Sequence, residues 1–390
     1  MCKSFLYICN FLDDKTRISR LINSDSPAAS NKVLSTAECF KGTRTIPYIL
    51  SIGRGSGLKN FKFYGLKVRK IKSFVVIYLP FIQFPFISEL FSFFSLPFFL
   101  YCLSRKRSIK TFLFYNQMPV YLLGLLIARL QGQKIFLDLE DGLASDFFLK
   151  KIKFFFIASI FDKFCSNGVI LSCSALGRFT KIKRKILHYG IYNNENSSQS
   201  FKKTKKCNIL FSGSILPDTG ANLIYKAIQI LDMEKSSSNL IFHISGKGPL
   251  IDDFKGLSNL TQNTNVIVHG RIDNKGYLKL LESIDIGLSL KLINGSFSTT
   301  TFPSKIMEFI NHGIVVIATR ISDVQLVFGN SVFILKNNSP RELSMLILKI
   351  ANNINYYKQN TVKTAKINLA LLGKKHSSIK LSNFLFNEKN

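Results

Sequence analysis

Short apolar runs separated by longer amphipathic stretches organise the first half of the chain. The runs are Phe5–Phe11, Ile46–Ile52, Phe74–Leu79, Thr111–Tyr115, Lys134–Leu139 and Gly168–Leu171. Between several of them apolar residues recur at helical spacing, as in Pro119–Leu130, and Gly132 follows that stretch as a stop signal. Buried strands that alternate with helices predict a parallel sheet covered on both faces. We therefore expect a first α/β domain over residues 1–192.

The same alternation restarts after a polar segment. Residues 193–207 are polar and basic without periodicity, which predicts a linker. Beyond them, strands are predicted at Asn208–Phe211, Leu240–Ser245, Val266–His269, Ile286–Leu290 and Ile314–Ala318, and helices at Ala221–Leu231, Tyr277–Ser283 and Ser304–Asn311. This pattern predicts a second doubly wound domain over residues 208–390. Ligands of such domains bind at the carboxyl ends of the strands, and we expect the two domains to face a cleft.

Composition supports a two-domain protein and limits the chemistry that it can perform. A chain of 390 residues that is 46% hydrophobic is long enough for two filled cores and is not typical of disorder. Its seven cysteines are scattered and form no CxxC pair, so neither a disulfide framework nor a zinc site is predicted. A reduced, cytoplasmic compartment fits this pattern. No DxD motif or histidine cluster occurs in a suitable loop, and we expect no metal and no cofactor.

The chain is strongly basic, with a formal net charge of +30. Residues 1–190 contain 29 Lys and Arg against 10 Asp and Glu, so the excess is larger in the first half. Such a charge attracts nucleic acid or an anionic membrane leaflet. A composition rich in Lys, Asn, Ile and Phe, with no Trp, indicates that genome bias accounts for part of it. The charge is not concentrated in one helix or ribbon, and therefore we do not expect a nucleic-acid partner.

One long apolar segment raises the question of a membrane. Phe74–Leu103 contains a single charge, Glu89, and basic residues 105–107 follow it, which is typical of a membrane span. Three prolines divide the segment, however, into a strand-like piece, Phe74–Leu79, and a helical piece, Phe86–Leu103. We therefore favour a segment that dips into the membrane or packs in the core. The apolar run Phe5–Leu12 is too short for a signal peptide and predicts a first buried strand.

A second segment indicates attachment to a membrane surface. Leu149–Phe156 alternates lysines with bulky apolar residues, a pattern that allows a helix to lie in the membrane interface. Together with the basic first half, it predicts peripheral attachment of the first domain to the inner, cytoplasmic face of the cell membrane. The expected partner is the anionic inner-membrane surface.

The most specific motif lies in the second half. Phe302-Pro303-Ser304-Lys305-Ile306-Met307-Glu308, followed by Gly313-Ile314-Val315-Val316-Ile317, resembles the donor-site motif of GT-B glycosyltransferases, and most of all the family 4 branch that builds bacterial surface polysaccharides. The resemblance implies that Glu308 binds the ribose of a nucleotide sugar. A carboxylate suits a diol because both of its oxygens accept hydrogen bonds. The alternative is that Lys305 and Glu308 form an ordinary surface pair at i,i+3 spacing.

Two glycine loops accompany this motif in the order that the family has. Small residues after a strand, next to the N–H groups of a helix, allow a diphosphate to approach. His269-Gly270-Arg271 falls where the resemblance implies contact with the base, and Arg271 could stack on the base or hydrogen-bond to it. The complete donor site predicted in this way consists of Gly213, Ser214, Gly246, Lys247, Gly248, Arg271, Pro303, Ser304, Lys305 and Glu308.

The first half resembles the family more faintly. Ser26–Asn31 lies where relatives have a loop that touches donor and acceptor, and Asp138-Leu139-Glu140-Asp141 ends a strand where many carry a His-Asp pair near the transferred sugar. Three carboxylates in four residues are costly at a strand end unless they bind something. Glu140 and Asp141 are therefore the candidate catalytic residues. The alternative is that Asp141 caps the next helix.

The sequence departs from the family pattern at the phosphate ligands. Thr300 stands where many members have a first glutamate, and Ser214 and Thr219 stand in the loop where an Arg and a Lys commonly hold the diphosphate. Lys247, Arg271 or Lys305 could substitute for them.

The resemblance implies a metal-independent, retaining transferase of the hexosyltransferase type. It would move sugar from a nucleotide-sugar donor to a lipid-linked saccharide acceptor in capsule or O-antigen synthesis. Two alternatives stay open: a sugar-nucleotide epimerase on the same fold, and a non-enzymatic basic protein that binds nucleic acid.

Overall fold

The computed structural model divides the chain into two compact units. It describes residues 3–57, 61–84, 87–107, 109–142, 148–193, 206–234, 237–293 and 300–387. Unit 1 contains the described residues up to Ile191 together with those from Lys374 onwards, and unit 2 is Tyr192–Gly373. Most of the predicted linker at 193–207 lies outside the described residues.

Unit 1 is an α/β unit built around one main sheet. Its strands are β1 Lys3–Cys9, β2 Ile22–Ser24, β3 Thr45–Ser51, β4 Ser56–Gly57, β5 Phe63–Tyr64, β6 Lys67–Ile71, β7 Phe74–Tyr78, β8 Phe81–Ile82, β9 Thr111–Tyr115, β10 Lys134–Leu139, β11 Gly168–Leu171 and β12 Lys185–Leu187. Its helices are α1 Asp14–Ser19, α2 Pro27–Glu38, α3 Ile87–Arg107, α4 Leu122–Leu130, α5 Phe148–Phe164 and α13 Lys374–Phe386.

The main sheet of unit 1 has the strand order β12-β11-β10-β9-β1-β3-β7-β6. All neighbours pair in parallel except β6, which runs antiparallel to β7 at the edge. The central strands are covered on both faces, and for this reason β9 is buried along its whole length. The order reverses direction between β1 and β9, and ligands of doubly wound sheets bind at such a reversal.

The C-terminal helix corrects the predicted domain boundary. Residues 208–390 were expected to form one domain, but α13 packs into the core of unit 1, where Leu381, Phe384 and Leu385 are buried. The ring of Phe384 lies 5.5 Å from that of Phe136 on β10. A Cβ at Gly168 would lie 2.5 Å from Phe384, so that glycine makes room for the helix. The apolar face of α13 is therefore part of the first core.

A predicted loop in unit 1 is a helix. Ser26–Asn31 was expected to be a loop, but only Ser26 lies outside α2, where its Oγ caps the helix by accepting the N–H of Ala29 at 3.3 Å. Pro27 occupies the first turn, where proline needs no hydrogen-bond partner for its nitrogen. A serine cap followed by proline is a standard helix start, and it explains the correction.

The long apolar helix α3 has one buried and one exposed face. Leu96 and Leu100 are buried and lie against Gly124 of α4, whereas Phe94 and Phe98 are 61% and 63% exposed. Residues 87–105 are long and apolar enough to cross a membrane by length and composition alone, and 22% of the most apolar window is buried. The strand-like piece predicted at Phe74–Leu79 is β7.

Unit 2 is the second α/β unit. Its strands are β13 Cys207–Ser214, β14 Leu240–Lys247, β15 Asn265–Gly270, β16 Ile286–Ser289, β17 Val315–Thr319 and β18 Phe333–Leu335. Its helices are α6 Ala221–Asp232, α7 Ile251–Leu260, α8 Asn274–Leu281, α9 Ser304–Asn311, α10 Val324–Phe328, α11 Pro340–Asn352 and α12 Ile354–Asn368. The sheet order is β15-β14-β13-β16-β17-β18 with every neighbour parallel. This is the order of a dinucleotide-binding domain, with the reversal between β13 and β16.

Candidate functional site

The two glycine loops of unit 2 lie side by side because β13 and β14 end together. Gly213 pairs with Gly246, and Ser214 pairs with Lys247. A Cβ at Gly246 would lie 1.8 Å from the carbonyl oxygen of Gly213, and one at Gly248 would lie 2.0 Å from that of Ile215. Only glycine allows the two backbones to approach so closely. These glycines therefore hold the loops together at the carboxyl end of the sheet.

Gly213 differs from its partner glycines. Its φ is +119°, which favours glycine, and a Cβ there would meet no atom within 4 Å. Ser214 lies next to it, and its carbonyl oxygen accepts a hydrogen bond from Thr219 Oγ at 2.6 Å. Thr219 Oγ also accepts the N–H of Leu216 at 3.1 Å. Ser214 and Thr219 thus close a turn in front of α6.

The helix α9 carries the predicted Lys305 and Glu308. Lys305 Nζ lies 2.7 Å from Glu308 Oε2 and 2.8 Å from the hydroxyl of Tyr277 on α8. That hydroxyl donates to Glu308 Oε2 at 3.0 Å, and Ser212 Oγ lies 3.0 Å from it. The pair is therefore more than the surface contact that i,i+3 spacing alone would give, because it is joined to the end of β13.

Lys305 is a cation that Glu308 and Tyr277 hold in place. Burial and the neighbouring charge of Glu308 raise the pKa of Tyr277 to about 12, although Lys305 opposes them. Burial alone would lower the pKa of Lys305, but Glu308 and Tyr277 hold it above its ordinary value. Both contacts to Glu308 use Oε2, and no described residue donates a hydrogen bond to Oε1. The second oxygen of Glu308 is thus available to a ligand hydroxyl.

The remaining predicted donor residues occupy neighbouring positions. Pro303 immediately precedes α9, and Ser304 begins it without a side-chain cap. Arg271 follows the edge strand β15, whose last residue, Gly270, has a φ of +62°. Just before it, His269 Nε2 lies 2.9 Å from His243 Nδ1, and burial lowers the pKa of both rings. Nothing among the described contacts joins Arg271 to Lys305 or Glu308.

In unit 1, a buried lysine joins the predicted carboxylates. Lys32 of α2 donates to Asp138 Oδ1 at 3.0 Å and also to Glu140 Oε2. Tyr7 of β1 donates its hydroxyl proton to Asp138 Oδ2. The side chain of Asp138 is 1% exposed, whereas that of Glu140 is 16% exposed. We call Tyr7, Lys32, Asp138 and Glu140 the carboxylate cluster, and it lies where β1 and β10 end.

Burial shifts the titration of the groups in and around this cluster. Burial raises the pKa of Glu140 to about 7, with Asp138 adding to the effect and Lys32 opposing it. Burial alone would lower the pKa of Lys32, but Asp138 and Glu140 raise it well above its ordinary value. Burial and the charge of Lys32 lower the pKa of His188 to about 4. Glu140 can therefore exchange a proton near neutral pH while Lys32 stays charged.

The backbone of Glu140 is fixed by two side chains. Asn116, which has a positive φ of +60°, accepts the N–H of Glu140 at 2.7 Å. Ser172 donates to the carbonyl oxygen of Glu140 at 2.8 Å. Asp141 is exposed, with its N–H 3.4 Å from the same Asn116 oxygen. Residues 143–147, between Asp141 and α5, lie outside the described residues, so the alternative that Asp141 caps the next helix stays a prediction.

Three residues of these sites were not found from the sequence, namely Tyr7, Lys32 and Tyr277. Lys32 is more than one hundred residues from its carboxylate partners, and no local pattern marks it. Tyr277 lies on a helix that was predicted, but its neighbours in sequence give no indication of its contact with α9. The contacts of these residues can be recognised only once the order of the strands in each sheet is known.

Comparisons with known proteins bear on the family and the fold. Residues 193–366 match the family model described as Glycosyl transferases group 1, so unit 2 contains a glycosyltransferase domain. The chain is 23% identical over 148 residues to a chitobiosyldiphosphodolichol beta-mannosyltransferase of Candida albicans. That match covers 37% of this chain and 32% of the relative, so it spans about a third of the relative's length.

Solved structures resemble the chain over nearly its whole length. A sucrose-phosphate synthase from Thermosynechococcus elongatus has a TM-score of 0.68 at 12% identity, with 97% of each chain covered. HepE from Anabaena, in complex with UDP, has a TM-score of 0.65 at 12% identity, with 98% of this chain and 99% of that chain covered. At such identities the likeness shows the fold alone. It confirms the predicted GT-B fold class.

Proposed function

We propose, from the glycosyltransferase domain at residues 193–366, that this protein transfers a sugar from a nucleotide-sugar donor to a saccharide acceptor. The observation that carries the proposal is the Lys305–Glu308–Tyr277 group at the carboxyl end of the second sheet. It presents a carboxylate oxygen and a cation where ligands of this fold bind. The hydroxyls of a ribose and the charge of a diphosphate are the chemistry that such a pair recognises.

We propose a division of roles within the donor site. Glu308 Oε1 accepts a ribose hydroxyl, and Lys305 faces the negative charge of the diphosphate. The backbone around Gly213 and Ser214 approaches the phosphates, because Gly213 has open space where a side chain would stand. Gly246, Lys247 and Gly248 support that loop, while Pro303 and Ser304 present the N-terminus of α9 and Arg271 contacts the base. Charge on the leaving diphosphate is then stabilised by cations and N–H groups, without a metal.

We propose that Glu140 is the catalytic residue that receives the acceptor proton. The acceptor oxygen forms a bond to the anomeric carbon, the bond from that carbon to the diphosphate oxygen breaks, and the diphosphate keeps the electron pair. The hydroxyl proton passes to Glu140. Asp141 adds negative charge close by, which favours the protonated form of Glu140. The family resemblance implies retention of the anomeric configuration, and NMR of the first-formed product measures it.

We propose that the acceptor is a lipid-linked saccharide of surface-polysaccharide synthesis and that the protein works at the cytoplasmic face of the membrane. The support is an apolar surface on unit 1, formed by α3, α4 and α5. α3 packs on α4, and α4 packs on α5. Their exposed apolar side chains are Leu90, Phe94, Phe98, Tyr101, Leu126, Leu130, Phe148, Ile152, Phe155 and Phe156. We call these residues the helical apolar surface.

Charge beside this surface favours an anionic leaflet. The exposed Lys150 and Lys153 lie on α5 next to Ile152 and Phe156. Each basic residue close to such a leaflet contributes about 1 kcal/mol, and salt screens the attraction. The buried face of α3 stays with unit 1, so we propose that this helix dips into the interface and does not span the membrane.

Vesicle binding tests the membrane proposal. We expect the protein to sediment with phosphatidylglycerol vesicles and to be released by high salt or carbonate. The double variant Phe94→Glu/Phe98→Glu should lose this binding. Leu326→Glu is the control, since Leu326 is also an exposed apolar residue but lies on α10 of unit 2. Protein that stays until detergent is added would contradict peripheral attachment, and protein that never sediments would contradict any membrane role.

A panel of UDP-, GDP- and dTDP-sugars tests the transfer proposal, beginning with UDP because the Anabaena structure contains it. A donor at 100 times its Kd stabilises the folded protein by about 2.7 kcal/mol, which a thermal-shift experiment detects. Incubation with donor and acceptor should then release nucleoside diphosphate and glycosylated acceptor. Conversion of the donor into an epimer without acceptor would favour the epimerase alternative. Binding of nucleic acid but of no donor would overturn the proposal.

A further inference from the structure

We propose that Lys32 is a positioning residue for Glu140: its ammonium group binds Asp138 and Glu140 together and holds the Glu140 carboxylate in place for proton transfer. This inference rests on the proposed function, because that function gives Glu140 its catalytic role. Its support is the geometry of the carboxylate cluster, in which one ammonium group contacts two carboxylates.

The helix that carries Lys32 is held in place at its first turn. Ser26 caps α2, and Ser30 Oγ accepts the N–H of Leu12 at 3.0 Å, which ties the helix to the chain that follows β1. Lys32 lies two residues after Ser30, and its side chain is 10% exposed. The ammonium group therefore reaches the carboxylates from a fixed backbone, as a positioning group must.

The two carboxylates differ in how many of their oxygens are already occupied. Asp138 receives Tyr7 at Oδ2 and Lys32 at Oδ1, and its side chain is almost fully buried. Among the described residues, Glu140 receives a donor only at Oε2, and it is the more exposed of the two. Oε1 of Glu140 is therefore the carboxylate oxygen of the cluster that these contacts leave able to accept a proton.

Several titratable groups surround the carboxylate cluster. Lys32 on α2, Tyr115 on β9, Asp138 on β10 and Asp141 after β10 interact electrostatically with Glu140. Tyr7 and Cys9 on β1 and His188 after β12 interact with Asp138, and Lys380 on α13 interacts with His188. Burial and nearby Asp138 keep Tyr7 protonated, and burial keeps Tyr115 and Cys9 protonated, because their pKa values are raised. Burial lowers the pKa of His188, which is therefore neutral at pH 7. Lys32 is thus the charged group in contact with Glu140 that opposes its protonation.

Two substitutions should shift the pKa of Glu140 in opposite directions. Lys32→Met removes the cation, so the pKa of Glu140 should rise by ~1–3 units, the usual effect of a charge at this distance. Asp138→Asn removes the neighbouring anion and leaves Lys32 to Glu140 alone, so the pKa of Glu140 should fall. Asp138→Asn also lowers the buried negative charge, and it provides the test if Lys32→Met fails to fold.

The measurement is a carbon-13 NMR titration of protein labelled at the glutamate side-chain carboxyl, with Glu140→Gln to identify the signal. It needs no substrate, so its result is independent of whether the proposed transfer is correct. Lys72→Met is the matched control, because Lys72 pairs with Glu38 on the surface. We expect this control to leave the Glu140 midpoint unchanged. A Glu140 midpoint that is the same in wild type, Lys32→Met and Asp138→Asn would overturn the inference.

A kinetic experiment links the titration to turnover. The acidic limb of the pH profile of kcat/KM should move to higher pH in Lys32→Met and should stay in place in Lys32→Arg, which keeps the charge. Lys32→Arg should still lower kcat, because a planar guanidinium does not reproduce the contacts of an ammonium. Donor affinity should be unchanged in both variants. If Lys32→Met loses activity while the acidic limb of the kcat/KM profile stays in place, the role of Lys32 is structural and the inference is wrong.

Discussion

The two candidate sites are built in different ways. In unit 2, Lys305 and Glu308 lie three residues apart on α9, and the glycines around them follow adjacent strands. In unit 1, Lys32 meets Glu140 across 108 residues of sequence, and Tyr7 meets Asp138 across 131. A local site can be seen as a motif, whereas a site made from distant segments depends on the order of the strands. The first site suits binding, and the second combines charges that shift one another's pKa.

The largest expected effect is a loss of kcat when Glu140 is replaced. Glu140→Gln removes the proposed proton acceptor but keeps the size of the side chain, and general-base catalysis contributes ~10²–10⁴-fold to a rate. We expect kcat to fall by that factor. Asp141→Asn is the matched comparison: we propose that Asp141 acts on Glu140 through its nearby charge, so this variant should lower kcat less than tenfold. Steady-state transfer assays measure both, and equal losses would mean that the roles are misassigned.

The second prediction concerns the rigidity of the donor loops. Gly246→Ala places a Cβ against the backbone oxygen of Gly213 and forces the two loops apart, so it should lower the free energy of unfolding by about 2–4 kcal/mol. Gly213→Ala meets no neighbouring atom and should lower it by ~1–3 kcal/mol through backbone strain alone. Urea unfolding compares the two. A more stable Gly246→Ala than Gly213→Ala would show that the loops are not packed as described.

Acid should affect the two units differently. The pKa of His243 in unit 2 is lowered to about 4, so the unfolded chain binds a proton at higher pH than the native chain does. Stability is therefore lost as pH falls from about 6.5 towards 4, by at most ~1.4 kcal/mol per pH unit for one group. In unit 1, protonation of His188 also lowers stability as the pH falls. Glu140 has the opposite effect, because its pKa is raised and the native chain binds this proton at a higher pH than the unfolded chain does.

Hydrogen exchange at pH 6.8 and pH 5 tests this difference. Opening of unit 2 should become easier at the lower pH, while unit 1 should change little. Glu140→Gln removes the opposing group and should make unit 1 acid-sensitive as well. Equal acid sensitivity of both units in the wild-type protein would contradict the assigned directions of these pKa shifts.

The smallest expected effect concerns Tyr277, which lies outside the sequence motif that contains Lys305 and Glu308. Tyr277→Phe removes a hydroxyl that contacts Lys305, Glu308 and Ser212, and loss of one such group costs about 1 kcal/mol. We expect the Kd for the donor to rise roughly fivefold, with kcat unchanged. Calorimetry of donor binding checks this. An unchanged Kd would remove Tyr277 from the donor site.

Buried parallel strands could be predicted closely from the sequence. β9, β10 and β11 have the bounds that were expected, because strands buried on both faces are continuous apolar runs. The helix Ser304–Asn311 was also predicted with its observed bounds. The antiparallel edge strand β6 was missed, since three of the five residues of Lys67–Ile71 are basic and the strand lies half exposed, so it contains no apolar run.

The remaining errors concern tertiary packing. The place of α13 in unit 1 could not be predicted, because it depends on a contact between Phe384 and Phe136, which are far apart in the sequence. The same holds for Lys32, whose partners lie on a strand that the sequence places far away. Glu308 and Lys305 could be proposed together because the resemblance places both on one helix, and both lie on α9. Long-range charge pairs leave no such pattern.

The central claim is that donor binding belongs to unit 2 and proton transfer to unit 1. Calorimetry of donor binding to wild type, Glu308→Gln and Glu140→Gln tests it most directly. Each hydrogen bond to a charged group contributes ~1.5–3 kcal/mol, so Glu308→Gln should raise the Kd at least tenfold. Glu140→Gln should bind the donor as wild type does while failing to transfer it. Wild-type donor affinity in Glu308→Gln, or a matching loss in Glu140→Gln, would contradict the account.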